Sequence, residues 1–148
     1  MGVILRILVK SVTKQEYKKT FRMTFILMLI LGLFIASLGS TVLPIVYSFV
    51  FMDHQAGAMT IFKILNWSIP IMFIGHLTTQ CLVLQNNRYL LLGITLGGAV
   101  MNVILNFILI KSHGVSGAAV ATVITEACIL FFSSYYVIKR LGVHIGLN

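Results

Sequence analysis

The chain has 148 residues, 59% hydrophobic and 9% charged, with a mean hydropathy of +1.02 and a formal net charge of +8. Soluble domains carry about 25% charged residues, so this composition excludes an ordinary soluble domain. Lipid leaves only helices or a closed barrel to satisfy the backbone, and the long unbroken apolar runs here are not the short alternating segments of barrel strands. The expectation is an all-α integral membrane protein.

The positive charge flanks the apolar runs, as the positive-inside rule requires, so nucleic acid is not expected as a partner. Cys81 and Cys128 both fall inside spans and read as buried thiols rather than a disulfide framework. His54, His76, His113 and His144 are scattered, with no metal-ligand spacing, so no metal is expected. No cofactor and no enzyme chemistry are expected either: the chain carries no nucleophile–base pair and no Gly-rich phosphate loop. The start MGVILRILVK has too short an apolar core for a cleavable signal.

Residues 1–22 come first. Arg6, Lys10, Lys14 and Lys18 recur every four residues and form one stripe of a helix. Val3, Ile4, Ile7, Leu8 and Val12 lie largely off that stripe. The segment reads as a basic amphipathic helix on the cytoplasmic membrane surface, or as a solvated linker. Thr13-Lys14-Gln15-Glu16 fits a capping box, where a fresh helix can begin.

Four spans follow, over 23–46, 59–84, 89–110 and 115–138, each long enough for a hydrocarbon core of about 30 Å. Together they make one transmembrane domain over 23–140, with a cytoplasmic tail over 141–148. In the first span Gly32, Ala36 and Ser40 form a small-residue face for close helix approach; Pro44, in its outer part, is read as a kink or as the helix end. The loop Phe51–Gly57 carries Asp53 and His54. In the second span Lys63 can snorkel, Trp67 and Pro70 predict a bend, and His76 and Gln80 lie one turn apart. A membrane histidine is a candidate for function, with an interhelical hydrogen bond as its plain alternative.

Gln85-Asn86-Asn87-Arg88 reads as a tight inner turn. In the third span Gly93 and Gly97 form GxxxG, read as a packing face. Asn102 and Asn106 share a face and are expected to meet another helix or a wet cavity. Lys111-Ser112-His113-Gly114 is the turn into the fourth span. That span opens on Gly117, Ala118 and Ala121, which are expected to pack closely. Further along, Ala119, Thr122, Glu126 and Ser133 share a face. Counting inward at about 1.5 Å per residue, Asn102 and Glu126 reach similar depths and are expected to be neighbours, with Thr122 as a further partner. The Glu126 carboxyl is expected to be neutral or held by amides. Two readings stand beside each other: an ion site in a transport cavity, and a structural polar clamp.

Nine basic residues fall on one side (Arg6, Lys10, Lys14, Lys18, Lys19, Arg22, Arg88, Lys139 and Arg140), and two, Lys63 and Lys111, on the other. This predicts a multi-pass protein of the cytoplasmic membrane with both termini cytoplasmic.

The run Asn102-x3-Asn106-x-Ile-Leu-Ile, a short turn, then Gly114-Val-Ser-Gly-Ala-Ala-Val-Ala-Thr-Val-Ile-Thr-Glu126, resembles the C-terminal part of polysaccharide flippases. These are the O-antigen and teichoic-acid type exporters of the multidrug/oligosaccharidyl-lipid/polysaccharide exporter superfamily. Gln85-Asn86 and Asn66-Trp67-Ser68-x-Pro70 are similar in placement, and the resemblance runs from the basic linker to Arg140. It implies alternating access by two lobes totalling about twelve helices, which carry lipid-linked oligosaccharide across the cytoplasmic membrane. The four spans here would match the last four of the second lobe. The implied partners are membrane lipid, lipid-linked oligosaccharide, and the remaining flippase helices or further copies of this chain. Two alternatives remain. One is a small four-helix dimeric multidrug exporter, though such proteins carry a Glu in the first helix and this first span has no charge. The other is a non-transporting membrane protein or remnant.

Overall fold

The computed structural model describes residues 14–51 and 56–141. The expected surface helix around Arg6 and Lys10, the Asp53–His54 loop and residues 142–148 lie outside the described residues. All regular structure among the described residues is α-helical: α1 (Lys14–Phe51), α2 (Ala56–Asn66), α3 (Ile69–Leu84), α4 (Arg88–His113) and α5 (Val115–Leu141).

Helix α1 starts inside the capping-box sequence, with Glu16 in its first turn, where an acid complements the helix dipole. It runs from the basic stretch straight into the first span, so residues 14–22 and the span are one helix. Of the two readings of Pro44, the helix end is not met: the proline lies inside the helix. The proline removes one backbone bond, but opening the helix in lipid would expose many more, so the helix continues to Phe51.

Four stretches are long and apolar enough to cross a membrane: Lys18–Phe49, Gly57–Leu84, Arg88–His113 and Val115–Lys139. The second is not one bent helix. It breaks at Trp67–Ser68 into α2 and α3. Pro70 falls in the first turn of α3, where its missing N–H costs nothing. Ser68 does not cap α3, because its hydroxyl donates back to the Leu65 carbonyl at 2.6 Å. The first amides of α3 therefore have no side-chain partner.

The two other connections are tight. At the end of α3, Asn86 adopts φ 62°. The Asn87 amide reaches the Leu82 carbonyl and the Asn86 amide the Val83 carbonyl, each at 3.0 Å. This pairing closes a helix around a left-handed residue, a role asparagine tolerates. Between α4 and α5 the expected four-residue turn is a single residue, Gly114, at φ 60° and ψ −145°. Lys111, Ser112 and His113 are still helical. Lys111 lies over the Phe107 ring at 4.1 Å, and Ser112 donates to carbonyls of its own helix.

The helices stand in a row: α1, then α2–α3, then α5, then α4. Helix α5 is central and meets α2, α3 and α4. The α4–α5 hairpin is the most extensive contact. Packing is by small residues, with Ala36, Ala121 and Ser133 fully buried alongside Leu82 and Val137. No span buries more than 22% of its apolar window, so most of each helix faces outward, to lipid or to further helices.

The Gly32–Ala36–Ser40 face packs as expected. A Cβ at Gly32 would lie 2.8 Å from the Pro70 Cα. The side chain of Asn66, buried at the end of α2, fits over Gly39 and donates to the Ala36 carbonyl at 2.7 Å and the Ser40 hydroxyl at 3.1 Å. Asn66→Ala should therefore cost about 1–2 kcal/mol. Unfolding in mixed micelles checks it, and a variant as stable as the parent would contradict the clamp.

The Gly93–Gly97 motif does not pack. Both glycines are exposed, with no heavy atom within 4 Å of a built Cβ. The close approach uses Gly98, whose Cβ would meet Ile129 at 2.6 Å and Thr125 at 3.6 Å. One residue is about 100° around a helix, enough to turn the GxxxG pair away from α5.

Candidate functional site

Polar side chains lie at three levels of the row. At the α4–α5 contact, Asn106 Nδ2 donates to Asn102 Oδ1 at 2.8 Å. Asn102 Nδ2 donates to Thr125 Oγ1 at 3.2 Å, and Thr125 donates to the Ala121 carbonyl at 2.9 Å. Asn102 thus meets another helix, whereas Asn106 bonds only to Asn102 on its own helix. The network ends at Asn106 Oδ1, which is buried and has no partner among the described residues.

The partner across the interface is Thr125, not Glu126. Gly117, Ala121, Thr125 and Ile129 recur every four residues. Thr125 and Ile129 face Gly98, and Gly117 lies against the Leu109 carbonyl. That ridge faces α4, and Glu126, one residue on, is rotated away from it. Thr125 and Glu126 lie at nearly the same depth but about 100° apart around the helix. Thr122 does not reach across either: its hydroxyl donates to the Ala118 carbonyl at 3.1 Å. No hydrogen bond joins half-buried Glu126 to the described residues, so the amide contacts expected for it are not made.

Of the small residues that open α5, Gly117 packs closely and Ala121 is fully buried, whereas Ala118 is half-buried. Ala119, which sequence grouped with Glu126, is buried as well.

The second level joins α3 to α5. Thr78 and Ser133 are both buried and share a hydrogen bond of 2.7 Å between their hydroxyls. Helices α3 and α5 run parallel, each from the 56/115 end of the bundle to the 84/141 end. Glu126 lies seven residues before Ser133, on the same face of α5 within about 20°. Ile71 lies seven residues before Thr78. The acid is therefore level with the first turn of α3, beside the α2–α3 break and its uncapped amides. A helix N-terminus favours negative charge. Sequence reasoning placed the acid and the bend separately. The Thr78–Ser133 pair, which fixes the register between them, carried no signal in the sequence.

The third level is a groove of about 640 Å³ between α1 and α3. Met28, Ile35, Met72 and Phe73 make its apolar walls, and His76 and Gln80 line it one turn apart. Both are exposed. Neither makes a side-chain hydrogen bond among the described residues, so they do not join the Asn102 network. Among the described residues, no group of three His, Cys, Asp or Glu side chains could hold a metal, and Cys81 and Cys128 are not in a disulfide.

No protein family, curated protein or solved structure matches the chain.

Proposed function

We propose that this chain forms the last four helices of a flippase that moves lipid-linked oligosaccharide across the cytoplasmic membrane, both termini lying on the cytoplasmic side. The observation that carries the reading is an intramembrane acid, Glu126, level with a helix broken inside the membrane. Discontinuous helices in transporters place free helix ends near the midplane, where they bind substrate and coupling ions. An ionisable group at that depth in a membrane span is a functional candidate by default. The sequence resemblance supplies the substrate class. The open row of helices supports the need for others: four helices with both flanks exposed do not enclose a cavity for a sugar lipid.

In this reading Glu126 takes up and releases a proton or cation during alternating access. His76 and Gln80 face the α1–α3 groove, which the remaining helices cover. The Asn102–Thr125 chain holds the α4–α5 hairpin rigid as the lobe moves. Isolation of the natively expressed, tagged chain in mild detergent tests the incomplete-lobe part. The expected result is recovery with further membrane-spanning helices, in the same polypeptide or in a tightly held partner. A lone four-helix monomer that moves the sugar lipid unaided would overturn it.

A further inference from the structure

A notch of about 330 Å³ opens between α1 and α2, beside the helix break. Leu43, Pro44 and Met59 give it apolar walls, and Ser40, Lys63 and Trp67 give it polar ones. Lys63 and Trp67 are both exposed, Trp67 by 59%. Neither the Lys63 ammonium nor the Trp67 indole N–H has a hydrogen-bond partner among the described residues. Ser40 and Asn66 satisfy each other and the Ala36 carbonyl, so the unspent donors of the notch are Lys63 and Trp67.

Lys63 lies about 9 Å along the helix from Gly57, where the span begins, and Trp67 about 15 Å. The headgroup region takes up about 5–7 Å on each side of a core of about 30 Å. The ammonium therefore sits at the edge of the hydrocarbon, and the indole below it among the upper acyl carbons. A cation at the phosphate level with an N–H donor beneath it matches one amphiphile in order of depth. We propose that the notch binds the headgroup of an anionic glycerophospholipid. The phosphate pairs with Lys63, and the indole N–H meets an ester oxygen. The acyl chains then descend inward past Trp67. This site stands apart from the transport reading and holds whether or not the chain moves a substrate.

Trp67 is the sole tryptophan of the chain, so its emission reports on this notch. The test places the full chain in nanodiscs of phosphatidylcholine containing a rising fraction of phosphatidylglycerol with brominated acyl chains. Bromine quenches the indole on contact. A lysine near an anionic lipid contributes about 1 kcal/mol, which corresponds to about fivefold enrichment. Quenching of the parent protein should therefore exceed the random-mixing curve by about that factor. Lys63→Gln should return it to the curve, Lys63→Arg should keep the excess, and Lys111→Gln should leave it unchanged. Parent quenching on the random-mixing curve would overturn the proposal, as Lys63 and Trp67 would then be ordinary interfacial anchors. So would an equal loss in Lys63→Gln and Lys111→Gln, which would mean diffuse attraction without a site.

Discussion

Gly117→Val is expected to destabilise the protein by about 3 kcal/mol or more, with Gly32→Val close behind and Gly97→Val without effect. A side chain at Gly117 would run into the Leu109 carbonyl and the Ile110 amide nitrogen, which belong to the backbone of α4. No rotamer change relieves a collision with backbone, and the one-residue turn at Gly114 leaves no slack for α4 and α5 to move apart. At Gly32 the obstacle is the Pro70 backbone, in the first turn of α3. Separating α1 there would also draw Ala36 and Ser40 away from Asn66. Gly97 has open space around it. Unfolding of the three variants in mixed micelles ranks them directly. Equal stability of Gly117→Val and Gly97→Val would contradict the packing described.

Glu126→Gln is expected to lower net transport on the order of tenfold or more while leaving the unfolding free energy close to that of the parent. The substitution keeps the shape of the side chain and removes only its capacity to ionise. The acid makes no hydrogen bond among the described residues whose loss would loosen the fold. Asn102→Ala should do the reverse. It breaks the link to Thr125 and strands Asn106, costing about 1 kcal/mol, with transport retained in the molecules that stay folded. Measuring flux and unfolding on both variants separates an ion site from a polar clamp. Unchanged flux in Glu126→Gln would remove this residue from the mechanism.

How far the sequence could be read depends on the kind of information each feature needs. Span number comes from hydropathy, which is a local property. The depth of Asn102 on α4 could also be counted, because rise per residue is constant. What could not be counted was rotation. The expected pairing of Asn102 with Glu126 and the expected packing of Gly93 and Gly97 each missed by one residue around the helix. Gly98 and Thr125 hold those places because a ridge at 117, 121, 125 and 129 meets α4 there. Small residues on adjacent faces look equally suitable until the partner helix fixes the angle. Pro44 and Pro70 illustrate a related limit. Both are prolines in apolar runs, yet one lies inside a continuous helix and the other in the first turn after a break. The difference lies in their neighbours. Asn66 folds onto the Ala36 carbonyl and Ser68 onto the Leu65 carbonyl, and these bonds provide for the chain where it leaves the helix.

The account turns on whether this chain serves to move lipid-linked oligosaccharide between leaflets. The direct measurement is the fraction of that lipid accessible on the outer face of the membrane, read with an impermeant sugar-specific probe before and after depletion of the protein. The account predicts that the accessible fraction falls while total lipid-linked oligosaccharide rises, because the lipid accumulates on the cytoplasmic leaflet. An unchanged distribution between the leaflets, with the protein gone and no other flippase induced, would contradict it.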